Sequence, residues 1–210
     1  MLEEIWSFFL KGGVLMIPIV ICSFISIEVI IEKLITLRRR RIIIPEVKSV
    51  INNVSSEEDV PLAVSVCEQH EGVLSNLMKI VLKQGGTSYE HRREELSDRG
   101  RQEIRILERG LGVLETIAAV TPILGLLGTV FGMIKVFQVI SVQGVGEASA
   151  LSGGISEALI TTAAGLSVGI PALIFYNYFS RKAENLILDI ENLSNSLLNK
   201  METFRKGKQV

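Results

Sequence analysis

The chain has 210 residues, with 22 Lys and Arg against 23 Asp and Glu, and a formal net charge of −1 at pH 7. This near balance argues against a nucleic-acid-binding domain, which would carry a basic excess, and against an acidic disordered tail. The two cysteines, Cys22 and Cys67, are far apart and have no disulfide-scaffold or metal-ligand spacing, so they support neither a disulfide-rich secreted protein nor a zinc site. We also expect no other metal site and no cofactor.

Three stretches of the chain are free of charged residues: 12–27, 116–134 and 158–180. A helix needs about 20 apolar residues to cross a bilayer, so the second and third are long enough, and apolar residues extend the first to Leu37. In a soluble protein, three such runs would leave too little polar chain to cover them. We therefore predict an all-α membrane protein with three transmembrane helices, in which helices two and three extend into the cytoplasm.

Basic residues next to these spans predict the topology. Arg38, Arg39, Arg40 and Arg41 directly follow the first span, and Arg181 and Lys182 follow the third, whereas 136–156 contains no Lys or Arg. The positive-inside rule then places the basic flanks in the cytoplasm. The predicted order is an external N-terminal segment (1–11), transmembrane helix 1 (12–37), a cytoplasmic helical region (38–110), transmembrane helix 2 (111–137), an external loop (138–156), transmembrane helix 3 (157–180) and a cytoplasmic C-terminal helix (181–210).

Two cytoplasmic segments are predicted to be helical. Oppositely charged residues in 89–112 recur at spacings of three and four, and no strong breaker precedes span two, so we expect one helix from Tyr89 into the membrane. In the tail, an apolar stripe predicts a helix that continues span three and packs on other cytoplasmic helices, or else binds a partner: Leu186, Ile190, Leu193, Leu197 and Met201. Loops are expected at Asn52–Pro61 and Gly85-Gly86.

Small residues form one helical face in each of spans two and three, and such faces let helices approach closely in a membrane. The face of span two has Thr121, Gly125, Gly128 and Gly132, and that of span three has Ala158, Thr161, Thr162, Gly165, Gly169 and Ala172. The hydroxyls of these faces and of Thr129 either bond their own helix or line a narrow polar path. Pro18, Pro122 and Pro171 lie inside the spans and are expected to kink them.

Ionisable residues are missing from the middle of spans two and three. Glu157 is the only acid that borders span three, and it either has a function, as carboxylates within membranes usually do, or reaches the headgroups. Threonine does not titrate near neutral pH. If the chain conducts protons, a second protein must therefore supply the carboxylate.

The segments Thr121–Ile134 and Gly154–Leu166, followed by Ile170–Ala172 and Tyr176-Asn177, resemble spans two and three of the MotA/TolQ/ExbB proton channel family. The likeness is close over about 112–179, and the rest matches in layout. Three spans and this length resemble the ExbB/TolQ branch, because MotA has four spans and a larger cytoplasmic part.

The resemblance implies a homopentamer in the bacterial inner membrane whose second and third helices line a pore. It implies that the pore holds a dimer of single-span ExbD- or TolR-like subunits, each with a protonatable aspartate. By position, Thr129 and Thr162 match the family's pore threonines, and Glu157 matches its glutamate in span three. We also place Thr161, next to Thr162, on the expected proton pathway. Such a motor would use the proton motive force, with a TonB- or TolA-like protein, for outer-membrane transport or envelope functions.

One other function remains open from the sequence. In a non-conducting membrane scaffold, the glycines and threonines would serve packing alone. An enzyme is not expected, because His70 and His91 lie in the charged region without a catalytic constellation around them. ExbB-type, TolQ-type and other motor roles are not distinguished by the chain.

Overall fold

The computed structural model of the protein describes residues 12–82, 89–143 and 148–207, and the regular structure in these residues is helical. The predicted segment 1–11 and the predicted loop at Gly85-Gly86 lie outside them. The α-helices are α1 (Met16–Thr36), α2 (Arg39–Ile42), α3 (Pro45–Asn53), α4 (Val60–Gln69), α5 (Val73–Leu82), α6 (Tyr89–Glu108), α7 (Leu111–Gln143) and α8 (Ala148–Gly207).

The chain forms two compact units. We call residues 1–32 and 110–178 the apolar unit, and residues 33–109 and 179–210 the polar unit. Helices α1 and α8 contribute to both units. The division separates most of the uncharged sequence from most of the charged sequence, as the predicted membrane and cytoplasmic parts do.

In the apolar unit, α7 and α8 expose most of their large apolar side chains, whereas the core helices of a soluble protein bury them. Both contain stretches long and apolar enough to cross a membrane, Leu111–Val142 and Leu151–Phe204, and only 33% and 28% of their most apolar windows are buried. Large side chains such as Ile123, Leu126 and Leu159 point outward and are more than 60% exposed. Lipid or another apolar surface must cover them, which fits the predicted membrane protein.

Helix α1 is apolar at its start and charged near its end. Glu28 and Glu32 are exposed, whereas Lys33, in the polar unit, is 2% exposed and donates from Nζ to the Leu107 carbonyl oxygen at 3.1 Å. Lys33 therefore faces another helix, and its charge lies at the C-terminal end of α6, where a cation is favourable. Pro18 lies in the first turn of α1, where a proline removes no helical hydrogen bond, so the expected kink at Pro18 has no physical basis.

The prediction of one continuous helix from Tyr89 into span two is wrong. Helix α6 ends at Glu108, and α7 begins at Leu111. Between them Gly110 has φ 84°, a left-handed conformation that ends a helix and that glycine adopts without steric cost. Helix α7, which contains the predicted transmembrane helix 2, therefore does not continue from α6. Helix α8, in contrast, continues without a break from the predicted third span into the predicted C-terminal helix.

The predicted external loop, 138–156, is mostly helical. Helix α7 continues to Gln143 and α8 begins at Ala148. Glycines such as Gly153 and Gly154 disfavour a helix, but each costs only about 1 kcal/mol there. Close packing of the two helices, described below, offsets this cost at Gly154.

A short turn joins α3 to α4 within the predicted loop at Asn52–Pro61. The turn Glu57–Asp59 begins with a capping box, in which Asp59 Oδ2 accepts hydrogen bonds from the Ser55 and Ser56 amides, both at 2.9 Å. The Ser56 hydroxyl donates to the same oxygen at 3.1 Å. The Ser55 amide first, then the Ser56 amide and hydroxyl, lower the pKa of Asp59 below its ordinary value.

The end of α8 packs within the polar unit. In the apolar stripe, Leu186, Ile190, Leu197 and Met201 are buried and Leu193 is half-buried, which confirms the predicted packing role. Polar contacts join α8 to other parts of the unit: Arg39 to Asp189 (2.5 Å), Lys200 Nζ to the Asn52 carbonyl (2.9 Å), Tyr89 to Asn199 (3.2 Å) and Arg92 to Glu202 (3.1 Å).

Candidate functional site

Helices α7 and α8 of the apolar unit meet through their small residues. A Cβ added at Gly165 would lie 2.5 Å from the Thr121 carbonyl oxygen and 3.0 Å from Gly125 Cα. Further along, a Cβ at Gly132 would lie 2.7 Å from Ala158 Cβ. Real Cβ atoms do not approach other atoms so closely, so only glycine permits this separation.

The other glycines singled out in the sequence lie in the same interface. A Cβ at Gly128 would overlap the Thr161 side chain, and one at Gly169 would lie 2.6 Å from Pro122 Cγ. The contacts advance along α7 as they recede along α8, as expected for two antiparallel helices. They bring Gly125, Gly128, Gly132, Gly165 and Gly169 together in one interface.

Two threonines of this helix pair are half-buried, Thr129 on α7 and Thr162 on α8. Thr129 Oγ1 donates to the Leu126 carbonyl of its own helix at 2.6 Å. Thr162 Oγ1 donates across the interface to the Gly125 carbonyl at 3.0 Å. Both hydroxyls retain acceptor lone pairs, so each can accept a hydrogen bond from water or from a protonated group.

The other two threonines are buried. Thr121 is 0% exposed and donates to the Ile117 carbonyl at 2.7 Å. Thr161 is 1% exposed, and its Oγ1 lies 2.7 Å from the Gly12 carbonyl and 2.8 Å from the Glu157 carbonyl. This placement differs from the expectation that Thr161 lines a polar path, because its hydroxyl does not reach the surface of the chain.

The two interior prolines lie within continuous helices. Pro122 is half-buried against Gly169, and Pro171 is exposed on α8. Each removes one backbone donor and so frees a carbonyl oxygen one turn earlier. The glycine opposite Pro122 provides the space for its ring.

Glu157 has a cationic partner that the sequence did not reveal. Lys135 Nζ lies 2.6 Å from Glu157 Oε1 and 2.7 Å from Oε2. The Glu157 side chain is 21% exposed and that of Lys135 is 55% exposed. The carboxylate also lies against Gly13, whose φ of 71° and lack of Cβ allow this approach.

The basic residues used for topology all lie in the polar unit. Arg38, Arg39, Arg40, Arg41 and Arg181 are exposed, and Lys182 is half-buried. Exposed arginines at these positions suit contact with water or headgroups. Within the described residues, no group of three His, Cys, Asp or Glu side chains is arranged to hold a metal ion.

Comparison with known proteins finds similarity over the helices described above. Residues 68–192, which include α7 and much of α8, match the MotA/TolQ/ExbB proton channel family. ExbB-like 1 of Synechocystis sp. is 36% identical over 174 residues, covering 80% of this chain and 67% of that protein. ExbB-like 3 of the same organism is 30% identical over 184 residues, covering 81% and 82%. The biopolymer transport protein ExbB of Neisseria gonorrhoeae is 38% identical over 96 residues, covering 46% and 44%.

Proposed function

Because the chain belongs to the MotA/TolQ/ExbB proton channel family, whose members are membrane channels and not enzymes, we propose that it is the channel subunit of an ExbB/TolQ-type motor. The motor would use the proton motive force to energise TonB-dependent outer-membrane transport or Tol-type envelope functions. The observation that carries this proposal is the pair of half-buried threonines, Thr129 and Thr162, on two closely packed helices without ionisable residues in mid-span.

The proposed mechanism divides the chemistry between two proteins. Thr129 and Thr162 would form hydroxyl rings around the pore of a homopentamer, and two single-span ExbD- or TolR-like subunits would each bring a carboxylate into it. The hydroxyls would orient water or a protonated carboxyl group, while the partner's carboxylate would take up and release the proton. Each charge that crosses gains about 2.3 kcal/mol per 100 mV, so several protons would be needed for work at the outer membrane.

The proposed location is the bacterial inner membrane. The basic flanks 38–41 and 181–182 support a cytoplasmic polar unit, with the N-terminus and the segment between α7 and α8 in the periplasm. Fusion of a periplasm-active reporter after the tail tests this orientation. Activity of that reporter would place the tail in the periplasm and contradict the proposed orientation.

The hydroxyl of Thr162 provides the sharpest test of the channel. Thr162→Val keeps the shape of the side chain and removes its hydroxyl, so we expect it to abolish proton flux in vesicles that contain the chain with its single-span partner. Thr162→Ser keeps the hydroxyl and should conduct. Thr116→Val is the matched control, because Thr116 is exposed and donates to the Gly112 carbonyl of its own helix at 2.8 Å. Unchanged flux in Thr162→Val, with wild-type assembly, would contradict the pore role.

A non-conducting scaffold is the second candidate. It is favoured by one observation: the hydroxyls of Thr121, Thr129, Thr161 and Thr162 all donate to backbone carbonyls. A scaffold predicts wild-type function in Thr162→Ser and in Thr162→Val alike. Purified protein that forms no fivefold ring would contradict the pentamer. A neighbouring gene for a TonB-like protein would favour outer-membrane transport, and one for a TolA-like protein would favour an envelope function.

A further inference from the structure

The Lys135–Glu157 contact is an ion pair with both carboxylate oxygens engaged. The two N–O distances are 2.6 and 2.7 Å, at or just below the short end of the range for charge-assisted N–H···O hydrogen bonds. One side of the pair borders an apolar cavity of about 260 Å³ whose walls include Val14, Phe131 and Ile134. This cavity is open, because Val14 is 80% exposed and the Lys135 side chain is 55% exposed, so its apolar walls shield the pair only in part.

The same carboxylate touches a third element of the apolar unit. A Cβ at Gly13 would overlap Glu157 Oε1, so the backbone of the segment before α1 packs directly on the carboxylate. One turn further along α8, the Thr161 hydroxyl lies 2.7 Å from the Gly12 carbonyl. Residues 157 and 161 of α8 therefore hold the segment at Gly12-Gly13 from two positions.

The ion pair lies in register with the small-residue interface. The Gly132–Ala158 contact lies next to it, and beyond it Val136 packs against Gly154, where an added Cβ would lie 2.6 Å from Val136 Cγ2. A slip of one residue between α7 and α8 would separate the charges. The pair can therefore fix the register that also sets the positions of Thr129 and Thr162.

We propose that Lys135 and Glu157 are a fixed charge clamp that joins α7, α8 and the segment at Gly12-Gly13, and that Glu157 positions the two threonines without carrying protons. This inference rests on the proposed channel function. A proton carrier must exchange protons with the path and release its other contacts as it does so. Glu157 is instead engaged by an ammonium group at both oxygens and by backbone at its side.

The test is a variant in which neither position can titrate. Lys135→Gln/Glu157→Gln keeps two amides that can hydrogen-bond across the interface. A clamp predicts that flux with the single-span partner stays within about twofold of wild type, because the contact is retained. Flux abolished in this double variant, with wild-type assembly and Tm, would overturn the proposal, because Glu157 would then be a carrier.

A clamp and a proton carrier predict opposite orders of flux for the two single variants, Lys135→Gln and Glu157→Gln. For a clamp, Lys135→Gln is the more harmful change, because it leaves the less exposed charge, Glu157, without its partner. We expect its flux to fall about tenfold and its Tm to fall below that of Glu157→Gln, which leaves only an exposed lysine. For a carrier, Glu157→Gln would abolish flux and Lys135→Gln would retain it.

Two controls separate failure of the clamp from failure of the channel. Wild type must conduct and Thr162→Val must not, since otherwise it is the proposed function that fails. If the double variant does not assemble, Lys135→Arg, which keeps the charge pair, is compared with Lys135→Gln. If Lys135→Arg retains the conduction and the Tm of wild type and Lys135→Gln loses both, the clamp is supported. If Lys135→Gln equals wild type in both, the clamp is overturned.

Discussion

Gly165→Ala tests how closely α7 and α8 must pack. The new Cβ would lie 2.5 Å from the Thr121 carbonyl oxygen, and 3.0 and 3.1 Å from Gly125 Cα and N. These are backbone atoms, so no side chain can rotate away. Because ordinary contacts need about 3.5 Å, the helices must separate by about 1 Å. The hydrogen bond from Thr162 Oγ1 to the Gly125 carbonyl, 3.0 Å long, would then be lost.

The expected loss of stability follows from these contacts. Overpacking costs about 1–3 kcal/mol and a lost interhelical hydrogen bond about 0.6 kcal/mol, while alanine regains up to about 1 kcal/mol of helix propensity. The net loss is about 1–3 kcal/mol, and Tm should fall by about 3–10 °C. Thermal unfolding of the detergent-solubilised protein at a fixed scan rate measures this. Gly153→Ala, where a Cβ meets nothing within 4 Å, is the control, and a Tm for Gly165→Ala at or above this control would refute the reasoning.

Three further predictions concern the polar unit. Burial raises the pKa of Cys67, against a smaller opposing effect of Lys79, so in a Cys22→Ala background a maleimide should label Cys67 only after denaturation; rapid labelling of the folded protein contradicts this. The pKa of Asp59 in the folded protein is lowered from 3.8. Ionised Asp59 therefore contributes its full share of folding stability above pH 3.8, and this share is lost as the pH falls through the pKa of the folded state. The Tm values of wild type and Asp59→Asn, measured against pH, should converge below pH 3.8. Arg92 is more buried than Glu202, with side-chain exposures of 9% and 22%, so Glu202→Leu should cost about 1–3 kcal/mol in denaturant unfolding and Arg92→Met less; the reverse order would be inconsistent with an unpaired buried charge.

The small-residue interface could be predicted because it depends on local periodicity. Residues spaced by three and four share a helical face wherever the helix lies, so Gly125, Gly128 and Gly132 could be grouped before any contact was known. The partner face on α8 was identified in the same way. The faces turned away from the pair carry large exposed apolar residues, such as Ile123 on α7 and Leu159 on α8.

Other features depend on contacts between distant residues, and periodicity does not contain them. Lys135 and Glu157 are 22 residues apart, and their pairing follows from the register of α7 against α8. Arg92 lies in a segment rich in charged residues, and its partner, Glu202, is 110 residues away. Gly110 is different, because a glycine after a charged helix is itself a local signal for the end of the helix. This helix end could therefore have been predicted from the sequence.

The positions of the charges also bear on what must come from outside the chain. The uncharged middle parts of α7 and α8 offer hydroxyls, which relay hydrogen bonds but do not titrate near neutral pH. Glu157, the nearest carboxylate along α8, is engaged by Lys135 at 2.6 and 2.7 Å and packed against Gly13. If the chain conducts protons and Glu157 is fixed, the titrating group must belong to another subunit. Vesicles that contain the purified chain without its single-span partner should therefore leak no more protons than vesicles that contain Thr162→Val with the partner. Rapid flux through the chain alone would show that both proposals assign the carboxylate to the wrong protein.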